Sequence, residues 1–383
     1  MKSRVWLGLS DAAIALFGIG LALVLRLTLL DYKSVDYFNY TKVWYNTLRD
    51  GGFSAFSQSF SNYNLPYLYL LYLLARFLPD IPGLVATKIP SIAADFVIAY
   101  FAFRLVRLSK DSNTLPFLAA LGCLFAPTVV LNSALWGQAD ALYTAALVAS
   151  LYFLVRRNSL PGVFCFGIAV AFKAQALFLG PLLLALLLRR EVPWKHALVV
   201  PVVMLAALIP AWIAGRPFWD LLLIYPSQAA QYEQLSMHAP SALSWIPSSG
   251  QFFPYFYPVG LVLGTTAAIV ISFGLYRSRP RLTPGLLMEA ALLCAMWLPF
   301  VLPKMHERYF YPADVLSIIV AFFVPQLFFV PLAMITVSFF AYQPTLFGVE
   351  PIPIGILALV VFGLLTVVTR HAFSELFPRA AAE

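Results

Sequence analysis

Apolar runs alternate with short polar or basic segments from one end of this 383-residue chain to the other. Most of these runs reach the length of about 20 residues that an α-helix needs to cross a bilayer. The pattern predicts an all-α polytopic membrane protein, built as a bundle of about twelve transmembrane helices. The predicted spans are 9–29, 84–106, 114–134, 139–155, two within 160–188, 195–214, 258–276, 284–303, two within 310–342, and 352–369.

The apolar run at 65–76 is too short for a span. Counted as one, it would move the basic cluster at 104–110 to the outer side, against the preference of Lys and Arg for cytoplasmic loops. We therefore predict an interfacial or re-entrant helix here, preceded by an amphipathic helix around Trp44. Two breaks are also predicted inside longer runs, one at 172–175 and one near Pro325.

Positive charge orients the predicted bundle. Both termini, and every predicted inner segment except the one near Pro325, are basic, which places them in the cytoplasm. The chain is then one transmembrane domain, 1–383, of the cytoplasmic membrane, with two large external loops: the first loop at 31–83 and the second loop at 215–257. The inner segments hold 15 of the 25 Lys and Arg residues: Lys2, Arg4, Arg104, Arg107, Lys110, Arg156, Arg157, Arg189, Arg190, Lys195, Arg277, Arg279, Arg281, Arg370 and Arg379.

The composition agrees with this interpretation. Hydrophobic residues make up 61% of the chain and charged residues 11%, against about 25% charged residues in soluble domains. Because the positive charge is concentrated on the inner segments, the net charge of +8 indicates no nucleic-acid partner. The three cysteines have no metal-ligand spacing, and neither a Gly-rich nucleotide loop nor a Ser-His-Asp motif is present, so no cofactor is predicted.

Polar and charged side chains collect at the predicted outer ends of the helices. They lie in four segments, at 31–64, 136–140, 173–175 and 304–311. One polar cavity near the outer leaflet would hold them all, and charge placed between membrane-spanning segments is usually functional. Since this cavity faces away from the cytoplasm, where soluble nucleotides are made, an activated donor substrate should be carried by a lipid.

Each of the first three segments has a structural explanation beside the chemical one. Taken alone, Asp36 is best suited to cap the N-terminus of a helix, and its place beside a polar cavity suits it to act as a general base. Lys173 would either bind a phosphate or extend to a lipid headgroup. Gln138 and Asp140 would form a sugar-hydroxyl site or an interfacial turn beside Trp136.

The fourth segment, 304–311, has the character of an anion site. Lys304, His306 and Arg308 place three basic groups within five residues. Arg308 is suited to a bidentate contact with phosphate, and Glu307 is suited to orient a neighbouring side chain.

Asp95 and Glu289 are acidic residues inside predicted spans. Asp95 has Lys88 seven residues earlier on the same helical face, so an internal ion pair or a hydrogen bond to a neighbouring helix is expected. Glu289 has no evident partner in the sequence. Such acids near the membrane midplane also suit an alternative function, a polytopic transporter or lipid flippase.

Several motifs resemble those of the GT-C membrane glycosyltransferases. Within that superfamily, residues 1 to about 320 are most similar to bacterial relatives of the second GPI-anchor mannosyltransferase. They also resemble the lipid-linked-oligosaccharide glucosyltransferases, whose late loop has a His-Glu-Lys motif. The matching motifs are an acidic residue just after the first helix, Asn-Leu-Pro-Tyr-Leu-Tyr at 64–69, Trp-Gly-Gln-Ala-Asp at 136–140, Phe-Lys-Ala-Gln-Ala at 172–176 and Met-His-Glu-Arg-Tyr at 305–309.

The resemblance implies a GT-C bundle that moves a sugar, with mannose favoured, from a polyprenyl-phosphate donor to a hydroxyl of a glycan, lipid or protein acceptor. Transfer would occur at the outer membrane face by direct displacement with inversion. The acidic residues Asp31 and Asp36 are spread apart rather than forming a tight Asp-x-Asp pair, which argues against a metal. By the same resemblance, Asp36 would be the catalytic base with Asp31 as reserve candidate, Lys173, Lys304, His306 and Arg308 would bind the donor phosphate, and Asn64, Gln138, Asp140, Gln175, Glu307 and Tyr309 would contact the sugar or the acceptor.

Overall fold

Helices form almost all the regular structure in the computed structural model, which describes residues 9–111, 113–247, 250–278 and 281–378. Four cations that the charge pattern places on the inner side lie outside these ranges: Lys2, Arg4, Arg279 and Arg379. The helices are α1 (Leu9–Leu27), α2 (Lys42–Gly51), α3 (Leu65–Phe77), α4 (Gly83–Arg107), α5 (Thr114–Phe125), α6 (Pro127–Val130), α7 (Asp140–Val155), α8 (Ser159–Phe172), α9 (Gly180–Leu188), α10 (Trp194–Ala197), α11 (Val199–Ile213), α12 (Phe218–Leu222), α13 (Ile224–Ala230), α14 (Phe253–Arg277), α15 (Pro284–Val301), α16 (Tyr311–Phe323), α17 (Phe329–Phe347) and α18 (Ile354–Leu376).

The predicted membrane bundle is confirmed. In the described ranges six helices are long and apolar enough to cross a membrane, and α5 with the bent stretch Pro127–Trp136 adds a seventh if the pair is one span. Shorter apolar helices at 13–27, 140–155, 159–172 and 174–188 stand where the sequence predicts further spans. With α16, these helices occupy all twelve predicted positions.

Both predicted breaks are present. α8 ends at Phe172, and Lys173 has an extended backbone (φ −156°, ψ 133°) before a 3₁₀ turn leads into α9. α16 ends at Phe323, and Val324 leaves the helical region (φ −125°, ψ 82°) because the ring of Pro325 disfavours an α conformation in the residue before it. The first break leaves Lys173 at an end of the bundle instead of inside a long helix.

The first loop is itself helical. α2 buries Trp44 and Leu48 on one face. α3 begins where the Asn64 side chain accepts a hydrogen bond from the backbone N–H of Leu65 at 3.0 Å, and Pro66 suits the first turn because it needs no N–H partner there. At 13 residues α3 is about 20 Å long, which falls short of the roughly 30 Å hydrocarbon core. The prediction that 65–76 is not a full span therefore agrees with the helix length.

Asp95 and Glu289 both have partners on neighbouring helices. The Oδ2 atom of Asp95 accepts hydrogen bonds from Arg26 Nε at 2.9 Å and from Ser133 Oγ at 2.5 Å, so Asp95 links α4 to its neighbours as predicted. Glu289 Oε1 lies 2.8 Å from His371 Nδ1, a partner on α18 that the sequence pattern did not indicate.

Lys88 does not pair with Asp95, so that version of the prediction is wrong. Its Nζ atom donates instead to three backbone carbonyls, of Leu29 at 3.1 Å, Leu30 at 2.9 Å and Tyr32 at 2.8 Å. These carbonyls follow the C-terminus of α1, where backbone oxygens have no intrahelical partners. The buried ammonium thereby holds the junction between α1 and the first loop.

Two short strands join the second loop to the segment that follows α15. β1 (Ser236–Met237) pairs in parallel with β2 (Met305–His306). His238, just after β1, adds an isolated bridge to His306. This pairing brings the second loop against the segment 304–311, at the end of the bundle where the first loop also lies.

Candidate active site

Two adjacent cavities of about 260 Å³ each open between the two loops and the segment 304–311. The carboxylate cavity is lined by Asp36, Tyr40, Trp44, Gln138, Glu307 and Thr345, among others. The cation cavity is lined by Lys173, Gln175, Tyr225, Tyr257, Lys304 and Tyr309, among others. Five residues line both: Asn62, Tyr63, Tyr232, His306 and Arg308. The four polar segments singled out in the sequence therefore meet at one place.

Asp36 points into the carboxylate cavity and does not cap a helix. Its backbone begins the short π-helix at 37–41, but its side chain makes no capping hydrogen bond. Instead, Oδ2 accepts hydrogen bonds from Trp136 Nε1 at 2.9 Å and from Gln138 Nε2 at 2.5 Å. Both contacts come from the turn between the 131–136 helical segment and α7, so the motif Trp-Gly-Gln-Ala-Asp orients the carboxylate.

Asp140 is fully buried and acts as a shared counter-ion. Its Oδ1 atom lies 2.5 Å from Lys173 Nζ, and its Oδ2 atom lies 3.7 Å from Arg308 Nε. Asn132 Nδ2 donates to Oδ2 at 3.1 Å. Asp140 lines neither cavity. It therefore holds two of the cations that line the cation cavity, Lys173 and Arg308, and the predicted direct contact of Asp140 with a sugar does not fit this position.

Lys173 and Arg308 are also surrounded by aromatic rings. Lys173 Nζ lies 5.3 to 5.8 Å from the ring centroids of Tyr309, Tyr143 and Tyr63. The Arg308 guanidinium lies 5.5 Å from the centroid of Trp136. Cation–π contacts of this kind hold a cation in place without neutralising its charge. The alternative that Lys173 only extends to a lipid headgroup does not fit this enclosed position.

Burial shifts the pKa values of His306 and Glu307 in opposite directions. Burial, reinforced by Arg308 and Lys173, lowers the pKa of His306 well below its ordinary value of 6.5, so the imidazole is neutral at pH 7. It would contact a phosphate as a hydrogen-bond donor and not as a cation. Burial raises the pKa of Glu307 to about 7, although Arg308, whose Nη1 atom lies 3.0 Å from Glu307 Oε1, opposes that shift. Glu307 orients Arg308, as its sequence position suggested.

Lys304 and Gln175 also line the cation cavity. Lys304 Nζ donates to the carbonyl of Ala229 at 2.6 Å and stands over the rings of Phe253 and Tyr257. It is half-buried at the rim, farther from the ion-pair network than Lys173. Gln175, on the 3₁₀ turn after Lys173, faces the same cavity.

Two predicted site residues lie elsewhere. Asp31 is exposed and lines neither cavity, which leaves Asp36 as the carboxylate of the first loop that faces the carboxylate cavity. Asn64 caps α3, and its Nδ2 donates to the carbonyl of Ala171 at 2.7 Å and to Tyr225 Oη at 3.0 Å. Because its amide is occupied in this way, Asn64 holds the first loop against α8, and a sugar contact does not fit.

Several lining residues were not predicted. Tyr63 donates to Gln138 Oε1 at 3.2 Å, and Asn62 lies beside it. Both directly precede the Asn-Leu-Pro-Tyr motif, so extending that motif upstream would have found them. Tyr232 and Thr345 come from the second loop and from α17, and no local sequence signal connects those segments to the site.

Within the described residues, no group of three or more His, Cys, Asp and Glu side chains is arranged to hold a metal ion. Metal independence, predicted from the spacing of Asp31 and Asp36, stays a prediction.

Comparison with known proteins adds a family and a fold. A family model described as "Glycosyltransferase family 87" matches residues 60–303. The match includes Gln138, Asp140 and Lys173 but neither Asp36 nor the segment 304–311. No curated protein matches the chain in sequence.

The fold is similar to that of ArnT from Cupriavidus metallidurans, solved as a crystal structure bound to undecaprenyl phosphate. The TM-score is 0.57 at 13% sequence identity, and the alignment covers 95% of this chain and 77% of that one. This likeness shows a GT-C fold, which confirms the fold that the sequence motifs implied.

Proposed function

Because this chain belongs to glycosyltransferase family 87, we propose that it transfers a sugar, mannose being favoured, from a polyprenyl-phosphate donor to an acceptor hydroxyl. The reaction takes place at the outer face of the cytoplasmic membrane, with both chain termini in the cytoplasm. The structurally similar ArnT, which was crystallised with undecaprenyl phosphate bound, also supports this donor class. The transferred sugar is linked to a membrane lipid, and the acceptor is a glycan, lipid or protein.

One observation carries the proposal: a carboxylate lines one of two adjacent cavities, and a set of cations lines the other. Asp36 lies in the carboxylate cavity, Lys173 lies in the cation cavity, and Arg308 lines both. A lipid phosphate in the cation cavity would place its sugar near the boundary between the cavities. An acceptor in the carboxylate cavity would then meet the anomeric carbon from the side of Asp36.

The chemistry needs one base and a stabilised leaving group. The acceptor oxygen attacks the anomeric carbon, the bond from that carbon to the phosphate oxygen breaks, and Asp36 takes the hydroxyl proton. The displacement inverts the anomeric centre. The phosphate leaves with the bonding electrons, and Lys173 and Arg308 stabilise its developing charge, while His306 donates a hydrogen bond. Unlike a glycosidase, the enzyme needs no second carboxylic acid, because polyprenyl phosphate is already a stable anion.

The geometry favours this interpretation over a transporter or flippase. That alternative drew its support from Asp95 and Glu289. Asp95 is bonded to Arg26, and Glu289 is bonded to His371. Both therefore serve helix contacts, whereas the cavity-lining charges gather at one end of the bundle.

The direct test is transfer by the purified protein in lipid nanodiscs. Given radiolabelled polyprenyl-phosphate mannose and a panel of acceptor glycosides, it should release polyprenyl phosphate and label an acceptor. A chelator such as EDTA should leave the rate unchanged. Replacing mannose by glucose or galactose in the donor identifies the sugar. Failure to transfer from every polyprenyl-phosphate sugar would exclude the proposed donor class.

The orientation is tested by labelling single cysteines with a membrane-impermeant maleimide in intact cells. In a background with Cys123, Cys165 and Cys294 replaced by Ala, Ser54→Cys should react, because Ser54 is exposed on the first loop. Ser109→Cys, between α4 and α5, should react only after the membrane is opened. Labelling of Ser109→Cys but not Ser54→Cys in intact cells would reverse the topology and move the site to the cytoplasmic face.

A further inference from the structure

One buried indole lies between the proposed base and a proposed phosphate-binding cation. Trp136 is 3% exposed, and its Nε1 atom donates to Asp36 Oδ2 at 2.9 Å. The Arg308 guanidinium lies over the same ring, 5.5 Å from its centroid. Trp136 lines neither the carboxylate cavity nor the cation cavity. It therefore contacts both charged groups from behind the cavity walls, without a place beside the substrates.

The orientation of this indole is fixed by its surroundings. Its ring packs edge-on against Tyr342 of α17 with the centroids 5.4 Å apart, and its backbone carbonyl accepts a hydrogen bond from Ser34 Oγ at 3.1 Å. Gly137 follows in the left-handed region (φ 78°, ψ 31°), which favours a residue without a side chain. Because the first loop and α17 both hold it, Trp136 is a fixed reference for the groups that it contacts.

Both hydrogen bonds to Asp36 end at the same oxygen. Trp136 and Gln138, on either side of Gly137, donate to Oδ2 at 2.9 Å and 2.5 Å. Oδ1 accepts no hydrogen bond from the described residues, and Asp36 is half-buried in the wall of the carboxylate cavity. The terminal torsion of an aspartate is broad, so a carboxylate without these contacts would exchange its two oxygens. Two donors on Oδ2 thus leave Oδ1 as the oxygen available to an acceptor hydroxyl.

Trp136 also couples the two ends of the proposed reaction. In the displacement, the acceptor oxygen, the anomeric carbon and the leaving oxygen are aligned while the base and the cation hold their places. A misplacement of about 1 Å can lower such a rate about 100-fold. Through one rigid ring system, the indole sets the position of Asp36 relative to Arg308. A tryptophan that only filled space would affect stability, whereas one that sets this geometry affects the rate.

We propose that Trp136 is a positioning residue, which holds Asp36 by Oδ2, leaves Oδ1 to take the hydroxyl proton, and fixes the carboxylate relative to Arg308. The inference rests on the proposed function, because it assigns the atoms of that site. The acceptor proton moves to Oδ1 as the acceptor oxygen bonds to the anomeric carbon. The bond from that carbon to the phosphate oxygen breaks, its electrons stay on the phosphate, and Arg308 stabilises the resulting charge.

The first test removes the N–H and keeps an aromatic ring. Trp136→Phe should lower kcat for transfer about tenfold, which corresponds to the loss of one hydrogen bond, while the KM for the donor stays within about twofold. Replacing Trp136 by 3-benzothienylalanine through amber suppression exchanges the N–H for sulfur in a ring system of the same shape. This variant should fold as the wild type does and lose as much of kcat as Trp136→Phe.

Trp297→Phe is the matched control. It removes an indole N–H that donates to Thr369 Oγ1 at 2.9 Å, and Trp297 lines neither cavity. The chemical change and the lost hydrogen bond are therefore the same, but no group of the site is contacted. Its kcat should stay within about twofold of that of the wild type.

Two further variants separate a positioning role from a structural one. In the Asp36→Asn background, Trp136→Phe should lower the residual rate by less than about twofold, because both changes act on the same proton transfer. Trp136→Leu also removes the ring beneath Arg308, so it should raise the KM for the donor about fivefold above that of Trp136→Phe.

The outcomes distinguish this inference from the proposed function. If the wild-type protein transfers no sugar, the proposed function is overturned and the inference with it. Transfer by the wild type, with unchanged kcat in both Trp136→Phe and the benzothienylalanine variant, overturns the inference alone. So does a further tenfold loss in the Asp36→Asn background, which assigns Trp136 to the fold. An equal donor KM in Trp136→Leu and Trp136→Phe overturns the link to Arg308.

Discussion

Replacing Asp36 by Asn is expected to lower kcat for sugar transfer by a factor of about 10²–10⁴, the usual contribution of a positioned general base. The amide cannot take the proton of the attacking hydroxyl. It can still accept a hydrogen bond from Trp136 or Gln138 in place of the carboxylate Oδ2, so the local fold should persist. The rate is followed by release of polyprenyl phosphate at saturating donor. The KM for the donor should change little, because Asp36 lines the carboxylate cavity and not the cation cavity.

Asp31→Asn is the matched control, since it makes the same chemical change in the same loop. Asp31 is exposed and lines neither cavity, so its kcat should stay within about twofold of wild type. Wild-type activity in Asp36→Asn together with loss of activity in Asp31→Asn would transfer the role of base to Asp31. The melting temperatures of both variants are compared with that of the wild type, to distinguish a loss of catalysis from a loss of folded protein.

Replacing Arg308 by Gln is expected to lower kcat/KM for the donor by a factor of about 10²–10³, the typical cost of removing one stabilising donor from a developing anion. Arg308 lines both cavities, and its guanidinium is oriented by Glu307 on one side and Asp140 on the other. Its loss removes positive charge from the leaving phosphate. It also leaves Glu307 without its ion-pair partner, so the melting temperature should fall as well.

Two further variants separate the chemical effect from the structural one. Arg308→Lys keeps the charge but not the forked geometry, and it should recover melting temperature more fully than rate. Lys304→Gln should reduce kcat/KM less than Arg308→Gln does, because Lys304 lies at the rim and bonds to a backbone carbonyl. A larger loss in Lys304→Gln than in Arg308→Gln would place the donor phosphate at the rim of the cation cavity.

The bundle could be predicted because its signals are local. A long run of apolar residues indicates a helix regardless of which other helices it packs against. The ring of Pro325 disfavours a helical conformation in the residue before it, and the charge of Lys173 is costly to place in a helix that faces lipid. The convergence of Asp36, Gln138, Lys173 and Arg308 followed from assigning all four to the same side of the membrane. That inference depended only on whether the number of membrane spans between each pair of residues is even or odd.

The details of the site depended on contacts that have no local signal. Tyr232 enters through the pairing of β1 with β2, which involves two residues in each strand and has no recognisable period. Asp140 and Asn64 stand in motifs beside true lining residues, and spacing alone does not distinguish a side chain that faces a cavity from one that supports it. Lys88 turned toward carbonyls of the preceding loop, although Asp95 was on its own helical face.

The carboxylate cavity draws its wall from residues as far apart as Asp36 and Thr345. Nearby, Tyr32 donates a hydrogen bond at 2.7 Å to the carbonyl of Leu346, at the end of α17. During synthesis the first loop is therefore exposed long before its partners emerge from the ribosome. The wall of the carboxylate cavity is incomplete until α17 has entered the membrane. A chain interrupted before α17 would thus retain Asp36, Lys173 and Arg308 but would lack both Thr345 and the anchor that Leu346 gives to the first loop.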